Sequence, residues 1–240
     1  MAKCGRYTAE QIEKYAADAE ARAENNRREV LNNRLEFFME RVGERYRSCS
    51  LDSYKVSHDA QKPIVEAVRG YVENLSENYK NGINVVLYGP PGTGKDFLAV
   101  AIAKRAIEIG MTIEWRDGLA LFADFRSAAD FDSHTTEDHV VHTLVESNLL
   151  LLSDPIPPSV PGSDRSRGAL TDYTAGCLLR VVDGRYRAMR PIIVTLNVSS
   201  GVELQERLGG AIYDRLRHDA LCLACNWPSH RKPQGASDAK

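Results

Sequence analysis

No apolar run in this chain of 240 residues approaches the roughly 18 residues that cross a bilayer. The opening Met1-Ala-Lys-Cys-Gly-Arg-Tyr meets charge before any apolar stretch, so neither a membrane partner nor a secretory leader is expected, and a cytoplasmic location is. Net charge is also scarce: 31 Lys and Arg against 33 Asp and Glu leave a formal −2. That excludes a uniformly basic nucleic-acid binder and confines any DNA contact to local patches. Cysteine is sparse and odd in number, with five residues at 4, 49, 177, 222 and 225, and reduced thiols are expected. Cys222-Leu-Ala-Cys225 has C-x-x-C spacing but no second pair to complete a four-ligand zinc site. It lies in an apolar run, 220–225, that reads as a buried strand, so packing accounts for it. Internal repeats are absent too. With 43% hydrophobic and 27% charged residues, the chain has the balance of one globular core plus a short appendage, or at most two small domains.

What is present is alternation. Residues 8–41 contain no Pro or Gly and favour one or two helices, with Thr8 and Gln11 at capping-box spacing. Apolar residues gather only at Leu31, Leu35, Phe37, Phe38, Met39 and Val42, so the first half reads as solvated and the second as a packing or partner face. The pattern breaks over 42–53. The expected organisation is an N-terminal helical partner-binding region over 1–45, a main domain over 46–231 and a disordered polar tail over 232–240. Within the main domain, helical periodicity covers 60–79, 95–109, 119–127 and 137–146. Short apolar segments at 84–88, 111–115, 149–152, 191–197 and 220–225 read as strands. Strands alternating with helices argue for an α/β fold with a parallel sheet covered on both faces. Pro155-Ile-Pro-Pro-Ser-Val-Pro-Gly-Ser163 must be a loop, because proline excludes helix and central strand.

Gly89, Pro90, Pro91, Gly92, Thr93, Gly94 and Lys95 follow the first strand and open a helix, the context that makes a phosphate-binding loop. Glycines let backbone N–H groups turn toward phosphate oxygens, the helix N-terminus favours an anion, and Lys95 reaches the β and γ phosphates. Asp96 departs from the pattern: a Ser or Thr normally stands there and gives its hydroxyl to magnesium. A carboxylate is a competent hard ligand but adds negative charge beside a triphosphate. The leucine-rich strand ending in Ser153-Asp154-Pro155 offers two registers. Asp154 holds the metal and Pro155 has replaced the water-activating acid, or Ser153 holds the metal position and Asp154 is the catalytic acid. The second makes the departures complementary, with Asp96 and Ser153 as swapped metal ligands. A nucleotide-binding interaction module that does not hydrolyse is the alternative.

Tyr88-Gly-Pro-Pro-Gly-Thr-Gly-Lys95, the strand ending in Ser153-Asp154, the run from Asp183-Gly-Arg-Tyr-Arg to Asn197, and Tyr213-Asp-Arg215-Leu-Arg217 together resemble the DnaC/IstB branch of AAA+ ATPases. These are bacterial helicase loaders and ATP-dependent helpers of transposases, and the resemblance runs from about residue 45 to 231. It implies a three-layer P-loop AAA+ domain with a five-stranded parallel sheet, a minimal or absent lid and N-terminal helices ahead of it. ATP and Mg are the implied cofactors. Asn197, a polar amide ending a central strand, would sense the γ-phosphate or place a water. Arg215 would be an arginine finger directed at a neighbouring subunit in an AAA+ oligomer, presented by a short helix starting near Gly209-Gly210, with Arg217 as runner-up. Single-stranded DNA and a replicative helicase or a transposase are the implied partners. Arg231 resembles the family's terminal Ser-x-Arg.

Weaker candidates have blander readings. His139 and His142, near Glu137 and Asp138, share a helix face but lack a third ligand, so an exposed face is expected. Trp115 and Trp227 are expected to pack. Arg165, Arg167, Arg217, His218, Arg231 and Lys232 are charges that either track a single-strand backbone or are simply solvated.

Overall fold

The computed structural model describes residues 8–130, 132–156 and 170–231. Most of the proline loop, Arg165, Arg167, and the tail with Lys232 lie outside them. Helix α1 (Ala9–Val42) starts with the expected capping box, since Thr8 accepts from the Gln11 backbone and the Gln11 side chain accepts from Thr8 N–H at 2.9 Å. Residues 9–30 are exposed, and α1 meets the domain through its last turns. Phe38 and Met39 are buried in the same cluster as the sheet, Arg41 pairs with Glu114 at 3.1 Å, and Arg34 donates to the Gly110 carbonyl at 2.8 Å. A single 3₁₀ turn, Glu44–Tyr46, follows directly.

The expected helix over 60–79 is two, α2 (Gln61–Glu73) and α3 (Leu75–Lys80). Asn74 breaks the run by turning its amide back to the Gly70 carbonyl at 2.9 Å, the local competition that makes Asn a poor interior helix residue. Then come β1 (Val85–Tyr88), α4 (Lys95–Glu108), β2 (Ile113–Asp117), α5 (Gly118–Ala128), α6 (Glu137–Glu146), β3 (Leu149–Ser153), α7 (Asp172–Arg187), β4 (Ile192–Leu196), α8 (Gly201–Leu208), α9 (Gly210–Arg217) and β5 (Leu221–Ala224). No sequence pattern had marked α7 or α8. The first carries Gly176 and Gly184, which weaken its helical signal, and the second spans barely two turns. Both begin at a hydroxyl cap, Thr171 and Ser200.

The five strands are parallel in the order β2-β3-β4-β1-β5. Period-two alternation divides their side chains between two cores. Val85, Leu87, Leu149, Leu151 and Ile193 pack with α1, α2 and α4, while Val86, Leu150, Leu152, Ile192 and Val194 pack with α5 to α9. Strand β5 corrects one expectation. It pairs with β1 alone and is an edge, so Cys225 is buried while Cys222 is exposed, and the apolar run is only half covered. Trp227 packs as expected, and Trp115 is half-buried against the first core.

The N-terminal ends of β3 and β4 are tied by a buried cation. Arg185 of α7 is fully buried and donates to the carbonyls of Leu144 at 2.6 Å, Ser147 at 3.1 Å, Asn148 at 3.0 Å and Pro191 at 2.8 Å, and to the Ser147 hydroxyl at 3.0 Å. It satisfies the carbonyls that α6 leaves open at its C-terminus and is favoured by that end of the helix dipole. Because β3 and β4 are fixed at their starts, the residues at their far ends are presented in constant register.

Candidate nucleotide and metal site

The site forms where β1, β3 and β4 end. After Tyr88 the chain turns through Gly89 at φ 147°, and any Cβ there would strike the Cys225 carbonyl. Gly92, at φ 82°, lies equally close under Ser229. The chain after β5 therefore sits on the loop. Trp227 Nε1 donates to the Thr93 carbonyl at 2.8 Å, and His230 N–H donates to the Gly92 carbonyl at 2.8 Å. No helix follows β5 among the described residues, and residues 226–231 form a short strap across the loop.

Lys95 opens α4 and is buried, its ammonium donating to the carbonyls of Gly89 at 2.9 Å and Pro90 at 2.8 Å and to Asn197 Oδ1 at 2.9 Å. Burial pulls its pKa down, opposed by the nearby carboxylates of Asp96 and Asp154. The cation thus stands at the loop's mouth, held by acceptors that a phosphate oxygen would displace. The next residue, Asp96, lies against the ends of two strands. Its Oδ1 accepts from the Ser153 hydroxyl at 2.9 Å and the Thr195 hydroxyl at 2.6 Å, residues paired across β3 and β4. Of the two registers open in the sequence, the fold sets Ser153 beside Asp96 and turns Asp154 toward Asn197.

Asp154 adopts φ 48°, an unfavourable conformation for a side-chain-bearing residue ahead of proline. Its own N–H donates to the Thr195 carbonyl at 2.8 Å, and its carboxylate accepts from Asn197 N–H at 3.2 Å and Asn197 Nδ2 at 2.6 Å. Burial raises the Asp154 pKa. The Asn197 hydrogen bonds and the Lys95 charge lower it, and Asp96 raises it. Lys95, Asn197 and Asp154 thus form a continuous polar chain at the loop's mouth.

A carboxylate and two hydroxyls make a hard-oxygen donor set, and no group of three or more His, Cys, Asp or Glu suited to a metal occurs among the described residues. That set suits magnesium, which takes one or two protein oxygens and fills its shell with phosphate oxygens and water. Asp96 and Ser153 would hold it, with Thr195 buried behind them. Sequence reasoning assigned Thr195 no role, although its place two residues before Asn197 on β4 put it on the same side of the strand.

Beside the loop lies a cavity of about 510 Å³, lined on the far side by Arg45, Tyr46, Tyr54, Phe97, His230 and Arg231. Tyr54 and Phe97 meet edge to face with centroids 5.4 Å apart, and Tyr54 faces the His230 ring at 6.4 Å. Such walls suit a flat base. Burial first, then Asp96, raises the Tyr46 hydroxyl pKa, so Tyr46 stays a neutral donor on the cavity wall. Residues 42–53 had been read as a boundary, and only the fold brings Arg45, Tyr46, Ser48 and Ser53 to the loop.

Arg215 is not among the residues lining this cavity. Its Nε pairs with Asp183 of α7 at 2.7 Å, and its guanidinium lies over Tyr186, beside a groove between α6 and α7. Arg217 lies over Tyr213 at 5.2 Å and is exposed. His139 and His142 are exposed on α6, as expected. No helix among the described residues is long and apolar enough to cross a membrane.

The comparisons with known proteins agree with this geometry. The chain is 28% identical over 192 residues to the replicative helicase loader DnaC of Buchnera aphidicola subsp. Acyrthosiphon pisum, covering 80% of this chain and 72% of that protein. The fold is similar to the crystal structure of the DnaC helicase loader, with a TM-score of 0.64 and 22% identity over 76% of this chain and 99% of that one. It is also similar to the replication initiator DnaA bound to AMPPCP and single-stranded DNA, with a TM-score of 0.57 and 15% identity over 76% of this chain and 50% of that one. These are P-loop AAA+ domains, and the model of the IstB-like ATP binding protein family matches residues 47–237. With Lys95 and Asp96 opening α4 after β1 and Ser153, Asp154 and Asn197 at the ends of β3 and β4, this chain belongs to the family of IstB-like ATP binding proteins.

Proposed function

We propose that the protein is a magnesium-dependent ATPase that oligomerises on single-stranded DNA to load a replicative helicase. The observation that carries the hydrolytic reading is the chain from Lys95 through Asn197 to Asp154. Asp154 is a carboxylate with a raised pKa, aligned by a residue that itself touches the phosphate-binding lysine. In this reading Lys95 and the loop amides bind the β and γ phosphates, Asn197 orients the attacking water, and Asp154 takes its proton. Bound at Asp96 and Ser153, magnesium supplies the positive charge that offsets the phosphates. Arg215 acts in a neighbouring subunit, leaving Asp183 when the oligomer forms. The helicase as partner is supported by the named role of the DnaC relatives, and α1 is the element offered to it.

ATP turnover measured with magnesium, with and without single-stranded DNA, tests the proposal. Turnover is expected to rise with DNA and to vanish in Lys95→Ala. Arg215→Ala should be inactive alone but regain activity when mixed with Lys95→Ala, because each supplies what the other lacks. Nucleotide binding without turnover would overturn the hydrolytic reading in favour of an interaction module. Turnover stimulated by a transposase instead of a helicase would reassign the partner.

The raised pKa of Asp154 sets a direction for pH dependence. The carboxyl must be ionised to accept a proton, so turnover falls as pH drops through its pKa, at a higher pH than an ordinary aspartate would give. Asn197→Ala removes the Nδ2 hydrogen bond that favours the anion while keeping the backbone one, and the acid limb of the rate profile is expected to move to still higher pH. An unmoved limb would separate Asp154 from the titration.

A further inference from the structure

Asp96 introduces an anion where the usual loop has a neutral hydroxyl, and the fold holds it there. The carboxylate accepts two hydroxyl hydrogen bonds, from Ser153 on β3 and Thr195 on β4, and Thr195 is 1% exposed. These bonds fix the side chain against the sheet, so it cannot swing away from an arriving nucleotide. Lys95, directly before it, is already the counter-charge for the phosphates and is shared with Asp154 through Asn197. No second cation is hydrogen-bonded or ion-paired to Asp96 among the described contacts. At effective dielectric values suited to such sites, like charges a few ångströms apart repel strongly enough to change affinity by orders of magnitude.

We infer that Asp96, clamped by Ser153 and Thr195, makes nucleotide binding itself conditional on a divalent cation. In a loop with a hydroxyl at this place, the phosphates can settle on the amides and lysine alone, and the cation mainly assists chemistry. Here the metal-free triphosphate meets a fixed anion, whereas the metal complex brings the charge that Asp96 and the hydroxyls are arranged to receive. Thr195 is a positioning residue: it acts by holding Asp96, and its removal loosens the conditionality without taking away the carboxylate. The inference rests on the P-loop reading but not on hydrolysis.

The test is equilibrium binding of a fluorescent ATP analogue to the full chain, in excess magnesium and in excess EDTA. For the unmodified protein, affinity is expected to fall at least 100-fold on metal removal. In Asp96→Thr and Asp96→Asn that ratio should shrink at least tenfold, through tighter binding in EDTA. In Thr195→Val it should shrink by a smaller factor. A ratio unchanged in the Asp96 variants, with nucleotide still bound, overturns the inference and leaves the P-loop reading intact. No binding in either condition overturns both. Circular dichroism of each variant separates lost binding from lost folding, and a gain of affinity in EDTA is a result that misfolding cannot produce.

Discussion

Arg185→Leu is expected to cost about 3–5 kcal/mol of folding stability, because several buried carbonyls lose a charged donor at roughly 1–3 kcal/mol each. That is a large share of the roughly 5–15 kcal/mol a typical domain has. The reason is the number of acceptors left behind. Leucine would fill the volume but leave the carbonyls of Leu144, Ser147, Asn148 and Pro191 without their donor, in a place where Arg185 is fully buried. Arg185→Lys should recover only part of the loss, since one ammonium cannot span carbonyls that the planar guanidinium reaches from both ends. Urea unfolding followed by circular dichroism measures both variants. A loss below about 1 kcal/mol for Arg185→Leu, the level of an ordinary net hydrogen bond, would show that the loops re-pair with water and that the cation does not hold β3 and β4.

The second large effect concerns catalysis. Asp96→Thr and Ser153→Asp are each expected to lower magnesium-dependent ATP turnover on the order of 10- to 100-fold. The first leaves no carboxylate between α4 and the strand ends. The second places two within hydrogen-bonding reach of each other, because the Ser153 hydroxyl already lies 2.9 Å from Asp96 Oδ1. Combined, the substitutions return one carboxylate and one hydroxyl, with the carboxylate on β3 and Thr195 still alongside in register. Much of the turnover should come back. A double variant as inactive as the worse single one would mean that Asp96 and Ser153 do not share a ligand role. The same Asp96→Thr protein that hydrolyses slowly should bind nucleotide better in EDTA, so the two measurements move in opposite directions.

How much of this was legible in the sequence follows from how local each signal is. The phosphate loop is contiguous, and each strand carries its own apolar run, so the sheet and Gly89 to Lys95 could be read directly. The pairing of Asp96 with Ser153 was legible as a chemical complement between two departures, although 57 residues separate them. Thr195 was not, because a threonine inside a β-branched strand looks like any strand residue until a carboxylate is placed against it. The aromatic wall from Tyr46, Tyr54 and His230 was hidden for another reason. Those residues come from the two ends of the domain and meet only when the chain after β5 lies down on the loop. Arg185 stood in a recognised motif, yet nothing in Asp183-Gly-Arg-Tyr-Arg distinguishes the buried arginine from Arg187, which is exposed.

Helix α1 has a mechanical consequence. Its exposed part, residues 9–30, extends about 33 Å at 1.5 Å per residue beyond the turns anchored by Phe38 and Met39. The chain passes from that anchor straight into Arg45 and Tyr46 in the nucleotide cavity. A pivot beside the ligand and a long arm beyond it make a lever: a tilt of about 10° at the anchor, smaller than the scatter among helix packing angles, sweeps the tip through about 6 Å. Whatever is grasped by the far end of α1 would be moved by roughly the width of a helical turn when the cavity's walls adjust by much less.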